Sequence, residues 1–546
     1  MSVDLQTWQQ TPAQYHVQDD LRLLDINEVS PGASQSADFL FWKDDHKLIV
    51  YDRLCDHNGG KLFLSGSTAS CPLHMWKFDV VAGRYDNSIV KKPLLEMTLD
   101  DVGLDCIQIP VQRHVLSLLE DDQQRKVSLT YINHACIIVR VENGVSFATD
   151  PWILGPAFGN GWYLAHPSRE DALDLLKSVD FIYISHNHPD HLHEETLQNL
   201  SKDQWFIVPN FSSGSVRRQL QDLNFHNIYE ADFANWIHAE DGMTNLMVLK
   251  SGDFRDDSGL LLQVGAFSML LTVDSNNLNF SRLPRDITVL GSQQSAGATG
   301  FPLCFGDYSL DEKRKILKRN FHSVMASNKK LIELTRPTAY LPYAGAFESR
   351  AKRDAFIASE NIKNKVADYR AICAREEVYL LRDAGETDFV FKGEQLLATS
   401  TYRGNFMAER SAEEWIAETA RGYSSILESE VRNYFAQSNF KSDLNLLLEF
   451  TSDDFSKTVC SFFVRFRAGV VPEVAEIEGY DEVLIRDESV RFLNIKAREH
   501  EMVRVIRDMR PWEDLSIGFQ IQVYREPNTY NADFWYHFSN IYVARK

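Results

Sequence analysis

The chain has 546 residues, 44% hydrophobic and 25% charged, with 17 Pro and 27 Gly. At roughly 100 to 200 residues per domain this predicts several folded domains and excludes a single small module or a disordered chain. With 57 Lys plus Arg against 77 Asp plus Glu, the formal charge is -20, which argues against a generic nucleic-acid-binding surface. Seven scattered cysteines and a polar segment over Met1–Asp20 predict a reducing, cytoplasmic setting. The longest apolar stretch, Gly259–Val273, is interrupted by Gln263, Gly265 and Ser268; it reads as two buried strands, and no membrane span is expected.

In chain order, residues 1–20 read as an N-terminal extension. Residues 21–112 alternate short β-rich runs (Phe39–Trp42, Lys47–Tyr51, Trp76–Asp79) with Gly, Asn and Asp turns, the pattern of an all-β module. The charged stretch 113–126 reads as a linker. Residues 127–384 alternate apolar strands (Val127–Tyr131, Cys136–Val141, Phe181–Ser185, Trp205–Pro209) with helical patterns, ending in a long basic helix over Leu310–Leu334. Residues 385–546 mix helices and strands. The fold class expected is multidomain α+β.

Two loops of the first module carry chemistry. Cys55-Asp56-His57 and Cys71-Pro72-Leu73-His74 stand with thirteen residues between His57 and Cys71. Two thiolates can hold one iron of a 2Fe-2S cluster while two imidazoles hold the other; the same quartet could hold a structural zinc. The pattern resembles the Rieske ferredoxin family over residues 21–112, in the form lacking an extra cysteine in each loop. The resemblance implies a cluster on Cys55, His57, Cys71 and His74 that moves single electrons between a donor and an acceptor.

The candidate acceptor follows the apolar run Phe181–Ile184: Ser185-His186-Asn187-His188-Pro189-Asp190-His191. Three imidazoles and a carboxylate at a strand end can converge on one or two metal ions. This His-x-His-x-Asp-His pattern resembles the metallo-β-lactamase superfamily, which implies a central αββα sandwich, a bridging carboxylate at Asp274 and an early strand-end Asp at Asp150. Two of that family's histidines are missing. Near Gly252–Asp257 the best substitute is Asp253, and Pro342-Tyr343-Ala344-Gly345 stands where the last is expected. Fewer imidazoles and more oxygen ligands favour an iron centre over a two-zinc hydrolase. The ligand set expected is His186, His188, Asp190, His191, Asp253 and Asp274, with Asp190, His191 and Asp274 nearest the chemistry. His134 is either an outer partner of the site or an ordinary core histidine.

Further stretches, among them Asn133-His134-Ala135-Cys136, Asp150-Pro151-Trp152, Ala296-Gly297-Ala298-Thr299-Gly300-Phe301-Pro302 and Ile517-Gly518-Phe519-Gln520, resemble the CMP-N-acetylneuraminate hydroxylase family. The resemblance implies a monooxygenase that uses non-haem iron and dioxygen to convert the N-acetyl group of its small-molecule substrate to N-glycolyl. It also implies NAD(P)H-derived electrons arriving through a reductase and a small electron-carrier protein. The alternatives are an oxygenase of the same architecture acting on an amine or amino-acid-derived metabolite, and a zinc hydrolase. The aromatic stretches Trp152–Trp162 and Phe301–Phe305 are either walls of a dry pocket or ordinary core packing. Basic partners for a nucleotide phosphate could come from Arg282, Arg285 or the helix over Lys313–Lys318. Arg53, Lys61 and Lys77, flanking the cluster loops, form a candidate docking patch for an acidic carrier.

Overall fold

Apolar residues at alternate positions set the layers of the central domain. In the strand Cys136–Val141, Ile137 and Val139 enter one buried cluster and Ile138 another, so both faces are covered. The computed structural model describes residues 4–36, 38–56, 61–71, 76–99, 106–252, 255–275, 278, 282–381, 387–478 and 490–543. His57, His74 and Asp253 lie outside the described residues.

The N-terminal module is all β. One four-stranded antiparallel sheet runs in the order Leu95–Thr98, Lys47–Asp52, Phe39–Lys43, Gly32–Gln35, and a second in the order Phe63–Ser65, Thr68–Ser70, Lys77–Asp79, Arg84–Tyr85. A long ribbon pairs Tyr15–Asp25 with Cys106–Leu116. The small core gathers Leu40, Tyr51, Leu62, Phe78 and Tyr85 around Cys55 and Cys71.

The central domain packs two eight-stranded sheets face to face. One includes Thr244–Lys250, Ser258–Val264, Phe267–Leu271, Val289–Gln293 and Ala339–Tyr343; the other includes Trp205–Pro209, Phe181–Tyr183, Ser146–Thr149, Cys136–Val141 and Lys126–Asn133. Leu260, Leu262, Met269 and Leu271 from the first meet Val127, Leu129, Phe147 and Phe181 from the second. The stretch Gly259–Val273 folds as the two antiparallel buried strands expected of it. Helices cover the outer faces: Ala172–Lys177, Glu194–Gln198 and Ser215–Asp222 on one side, Leu310–Thr335 and Arg370–Arg375 on the other. The long helix opens with a capping box, in which Ser309 Oγ accepts from Glu312 N and Glu312 Oε2 accepts from Ser309 N at 2.8 Å. It stops at Arg336, whose left-handed backbone turns the chain away.

The sheets recruit strands from beyond the span 127–384. Gln9–Pro12 pairs with Asn235–His238, and Thr387–Lys392, with Gln395–Thr401 beyond it, extends the other sheet from Lys126–Asn133. Phe389 and Phe391 are buried in the inter-sheet core, so this hairpin completes the sandwich. After it, a five-stranded sheet in the order Glu473–Glu476, Thr458–Phe466, Leu444–Thr451, Phe492–Arg498, Ile521–Glu526 forms the C-terminal domain. Helices Glu428–Ser438, Glu499–Arg507 and Ala532–Tyr536 accompany it. Phe538 packs among Phe435, Trp512 and Phe534, with ring centroids at 5.9, 5.3 and 4.8 Å. Among the described residues, no helix is long and apolar enough to cross a membrane.

Candidate metal centre

Five loops at the carboxyl ends of central strands converge on one point. They follow Lys126–Asn133 (His134), Ser146–Thr149 (Asp150), Phe181–Tyr183 (Ser185–His191), Phe267–Leu271 (Asp274) and Ala339–Tyr343 (Ala344). His134, Asp150, Val273 and Ala344, none of them glycine, all take positive φ of 36 to 51°. Such backbone persists where the surroundings enforce it, and it clusters at functional sites.

The motif loop is a tight turn in which the His188 carbonyl accepts from His191 N at 3.0 Å and Leu192 N at 2.8 Å. The turn brings the side chains together. His186 Nε2 lies 2.9 Å from His188 Nδ1 and 4.0 Å from Asp274 Oδ2. His191 Nε2 lies 3.4 Å from Asp190 Oδ2 and 3.6 Å from Asp274 Oδ2. His186, Asp190 and His191 are buried. The structure therefore brings together His186, His188, Asp190, His191 and Asp274.

Outer contacts fix these groups. Asp150, wholly buried, accepts from Ser185 N at 2.7 Å, Ser185 Oγ at 2.8 Å and His191 Nδ1 at 3.1 Å. His134 Nε2 stands 3.0 Å from Asp190 Oδ2, which places it beside the cluster. Tyr343, in the segment where a histidine was missing, accepts from Val273 N through its hydroxyl at 3.2 Å and so braces the Asp274 turn. Asp257 Oδ1 reaches to 3.9 Å from His186 Nε2; it belongs to the run in which Asp253 was expected to serve. His193 caps the helix Glu194–Gln198 instead of joining the cluster.

One contact had no local signal. Glu513 Oε2, from the C-terminal domain, lies 3.0 Å from His188 Nε2. Asn187 Nδ2 donates to the Ser539 carbonyl at 3.1 Å, and Trp162 Nε1 to the Ile517 carbonyl at 3.0 Å. The C-terminal domain thus closes over the site. The rings of Trp152–Trp162 are buried in the hydrophobic core beside the site, so they pack there and do not line an open pocket: Phe158 stands 5.8 Å from His188, Trp152 5.1 Å from His134, and Trp162 stacks on Phe347 at 3.4 Å.

The electrostatics suit a cation. Burial, reinforced by His191 and His188, holds the His186 imidazole well below its usual value. Burial works against charge on His191 and Asp190 too, but their mutual attraction outweighs it, raising the imidazole and depressing the carboxyl. His188 is pushed up to about 9 because the Glu513 carboxylate outweighs burial. His191 Nε2 and Asp190 Oδ1 are buried with no hydrogen-bond partner among the described residues. Two such orphaned ligand atoms, and two imidazole nitrogens facing each other at 2.9 Å, fit a bound metal ion.

In the N-terminal module, Cys55 and Cys71 are both buried, at the bases of two loops. A bridge between Leu54 and Lys61 closes the first, and Cys71 N donates to the Trp76 carbonyl at 2.7 Å across the second. Arg53 does not offer a docking charge: it is buried, and its guanidinium donates to the carbonyls of Leu62 and Ser36 at 2.9 and 2.7 Å. Its neighbours needed a buried donor to satisfy loop carbonyls, a demand that a charged residue in sequence does not reveal.

Comparison with known proteins matches the domains that carry both sites. The family model of the Rieske [2Fe-2S] domain matches residues 19–96, and that of the beta-lactamase superfamily domain matches residues 128–296. The cytidine monophosphate-N-acetylneuraminic acid hydroxylase of Danio rerio is 28% identical over 545 residues, spanning 92% of this chain and 88% of that protein. That of Asterias rubens is 28% identical, spanning 88% and 77%, and that of Xenopus laevis 26% identical, spanning 92% and 88%. A solved isothiocyanate hydrolase from Delia radicum gut bacteria is 14% identical, covering 48% of this chain and 99% of its own, with a TM-score of 0.31. The chain is a Rieske-type oxygenase, an oxidoreductase in which a 2Fe-2S module precedes a metallo-β-lactamase-fold domain. It is CMP-N-acetylneuraminate hydroxylase-like over about nine-tenths of its length.

Proposed function

We propose that the chain is a cytoplasmic, iron-dependent monooxygenase that converts the N-acetyl group of CMP-N-acetylneuraminate to N-glycolyl. The observation that carries this reading is the cluster of buried His186, Asp190 and His191 with half-buried His188 and Asp274 in a chain that also holds a Rieske module. A hydrolase has no use for single electrons. The iron, when bound by these five residues, would supply the reduction of dioxygen and the oxidation of an unactivated C–H bond, which no side chain performs.

The chain's own residues do the rest. Cys55, His57, Cys71 and His74 would hold the 2Fe-2S cluster, filled from NAD(P)H through a reductase and a small carrier. Asp150 keeps the His191 Nδ1 proton, leaving Nε2 directed at the cluster, and Glu513 does the corresponding work for His188. Phe158, Trp152 and Trp162 pack against His188 and His134 from the buried core and keep water from that side of the cluster.

The test is metal and labile-sulfide analysis of anaerobically purified protein beside a His186→Ala, His188→Ala variant. Iron in excess of the cluster, lost in the variant, together with dioxygen-dependent formation of the N-glycolyl product, is the expected result. Zinc at that site would overturn the oxygenase reading; iron without product from CMP-N-acetylneuraminate would move the substrate to another metabolite.

A further inference from the structure

Between the central and C-terminal domains lies a cavity of about 490 Å³. Its lining carries four basic residues, Lys313, Arg353, Lys496 and Arg498, against two acidic ones, Asp354 and Asp454. That balance is opposite to the -20 of the whole chain. The two arginines are tied into the inner wall, Arg498 Nη2 to Asp354 at 2.7 Å and Arg353 Nη2 to Glu501 at 3.2 Å. The two lysines are freer. Lys313 Nζ donates to the Leu303 carbonyl at 3.0 Å and makes no ion pair among the described residues, while Lys496 Nζ lies 3.8 Å from Glu449 and its side chain is 38% exposed.

Aromatic rings complete the lining. Phe356 is 48% exposed and Tyr524 38% exposed, unusual for large rings on a concave wall. Phe455 stands beside them, beneath the Arg498 guanidinium at 4.9 Å. Exposed rings offer stacking faces to a planar heterocycle, and ammonium groups neutralise a phosphate. A purely apolar ligand would have no use for the lysines, and inorganic phosphate none for the rings. The cavity also backs onto the metal centre. Arg353 Nη2 donates to the Gly159 carbonyl at 3.4 Å, and the preceding residue, Phe158, packs its ring 5.8 Å from His188.

We propose that this cavity receives the nucleotide half of a sugar-nucleotide substrate, its base stacked on Phe356, Phe455 and Tyr524 and its phosphate held by Lys313 and Lys496. The inference rests on the sugar-nucleotide reading above and gives it a binding site. Of the three basic sources in the sequence, it selects Lys313; Arg282 instead lies over Tyr15 at 5.3 Å.

The experiment is titration calorimetry of the full chain with CMP and with ribose 5-phosphate, in wild type and in Phe356→Ala, Tyr524→Ala, Lys313→Ala and Lys496→Glu. All four changes lie at partly exposed side chains, and circular dichroism and metal content check the fold. The expected result is CMP binding at least tenfold tighter than ribose 5-phosphate and weakened roughly tenfold in the ring variants, with a smaller salt dependence in the lysine variants. No CMP binding by wild type, or an affinity unmoved by all four changes, overturns the proposal. Turnover separates this failure from that of the function. Product formation with KM unmoved in the variants removes the cavity and keeps the reaction, whereas CMP binding lost in the variants without any product keeps the cavity and removes the reaction.

Discussion

His188 Nε2 lies 3.0 Å from Glu513 Oε2, although the two residues are 325 positions apart. The other ring nitrogen, Nδ1, faces His186, so Nε2–H is left to donate to the carboxylate. A carboxylate on the far side of a ligand imidazole fixes the ring's tautomer and orientation and raises its basicity. The C-terminal domain therefore helps to define the candidate metal centre of the central one.

We expect Glu513→Ala to weaken metal retention at this centre by about 10- to 100-fold, with Glu513→Gln intermediate because the amide keeps an acceptor. Metal content after dialysis against graded chelator measures this. The visible absorption of the 2Fe-2S cluster is expected to stay at its wild-type level, which separates loss of one imidazole's support from loss of the fold.

Asp150 is fully buried and accepts three hydrogen bonds, two from Ser185 and one from His191. Removing its carboxylate leaves buried donors unpaired, a cost of about 1 to 3 kcal/mol for each group. Asp150→Ala is expected to lower stability by about 3 kcal/mol even in metal-stripped protein, read from urea unfolding of the apo-protein. Asp150→Asn, which keeps an acceptor oxygen, is expected to lose less.

The two candidate metal sites sit in separate cores, Cys55 and Cys71 among Leu40, Tyr51 and Phe78, His186 at the mouth of the central sandwich. Cys71→Ala is therefore expected to abolish labile sulfide while leaving metal at the second site unchanged, and to abolish hydroxylation. Sulfide and metal assays on the same preparation check it. Loss of both metals together would mean that the Rieske module is needed to fold the central domain.

How far these features could be read from sequence follows the range of the interaction. The strands Cys136–Val141 and Trp205–Pro209 keep their sequence-derived bounds because their apolar runs, broken only at the half-buried Arg140, are covered on both faces and leave little choice. The cluster from His186 to His191 was legible because six neighbouring residues carry it and a short turn assembles it. Glu513 and Asp257 were not, since only tertiary packing brings them to the imidazoles. Arg53 misled because sequence reports charge but not burial. The strands after residue 384 were assigned to the next domain, as no local signal distinguishes a strand that completes one sheet from a strand that starts another.

Glu501 joins the C-terminal domain to the loop over the metal centre. Its Oε1 accepts from Asn160 Nδ2 at 2.9 Å and lies 3.2 Å from Arg353 Nη2. Burial alone would raise its carboxyl, but His500 and Arg353 outweigh it and bring the value down to about 2 from the usual 4.5. A depressed carboxyl stabilises the fold fully above its unfolded pKa, and that contribution is lost as pH falls from about 4.5 toward about 2. The shift corresponds to about 3 kcal/mol. Comparing Glu501→Gln with wild type by urea unfolding at pH 7, 5 and 3.5, we expect the stability gap to be widest at the two higher values and to narrow at the lowest. A gap that stays constant across the series would show that Glu501 acts through packing and hydrogen bonding alone, independent of its charge.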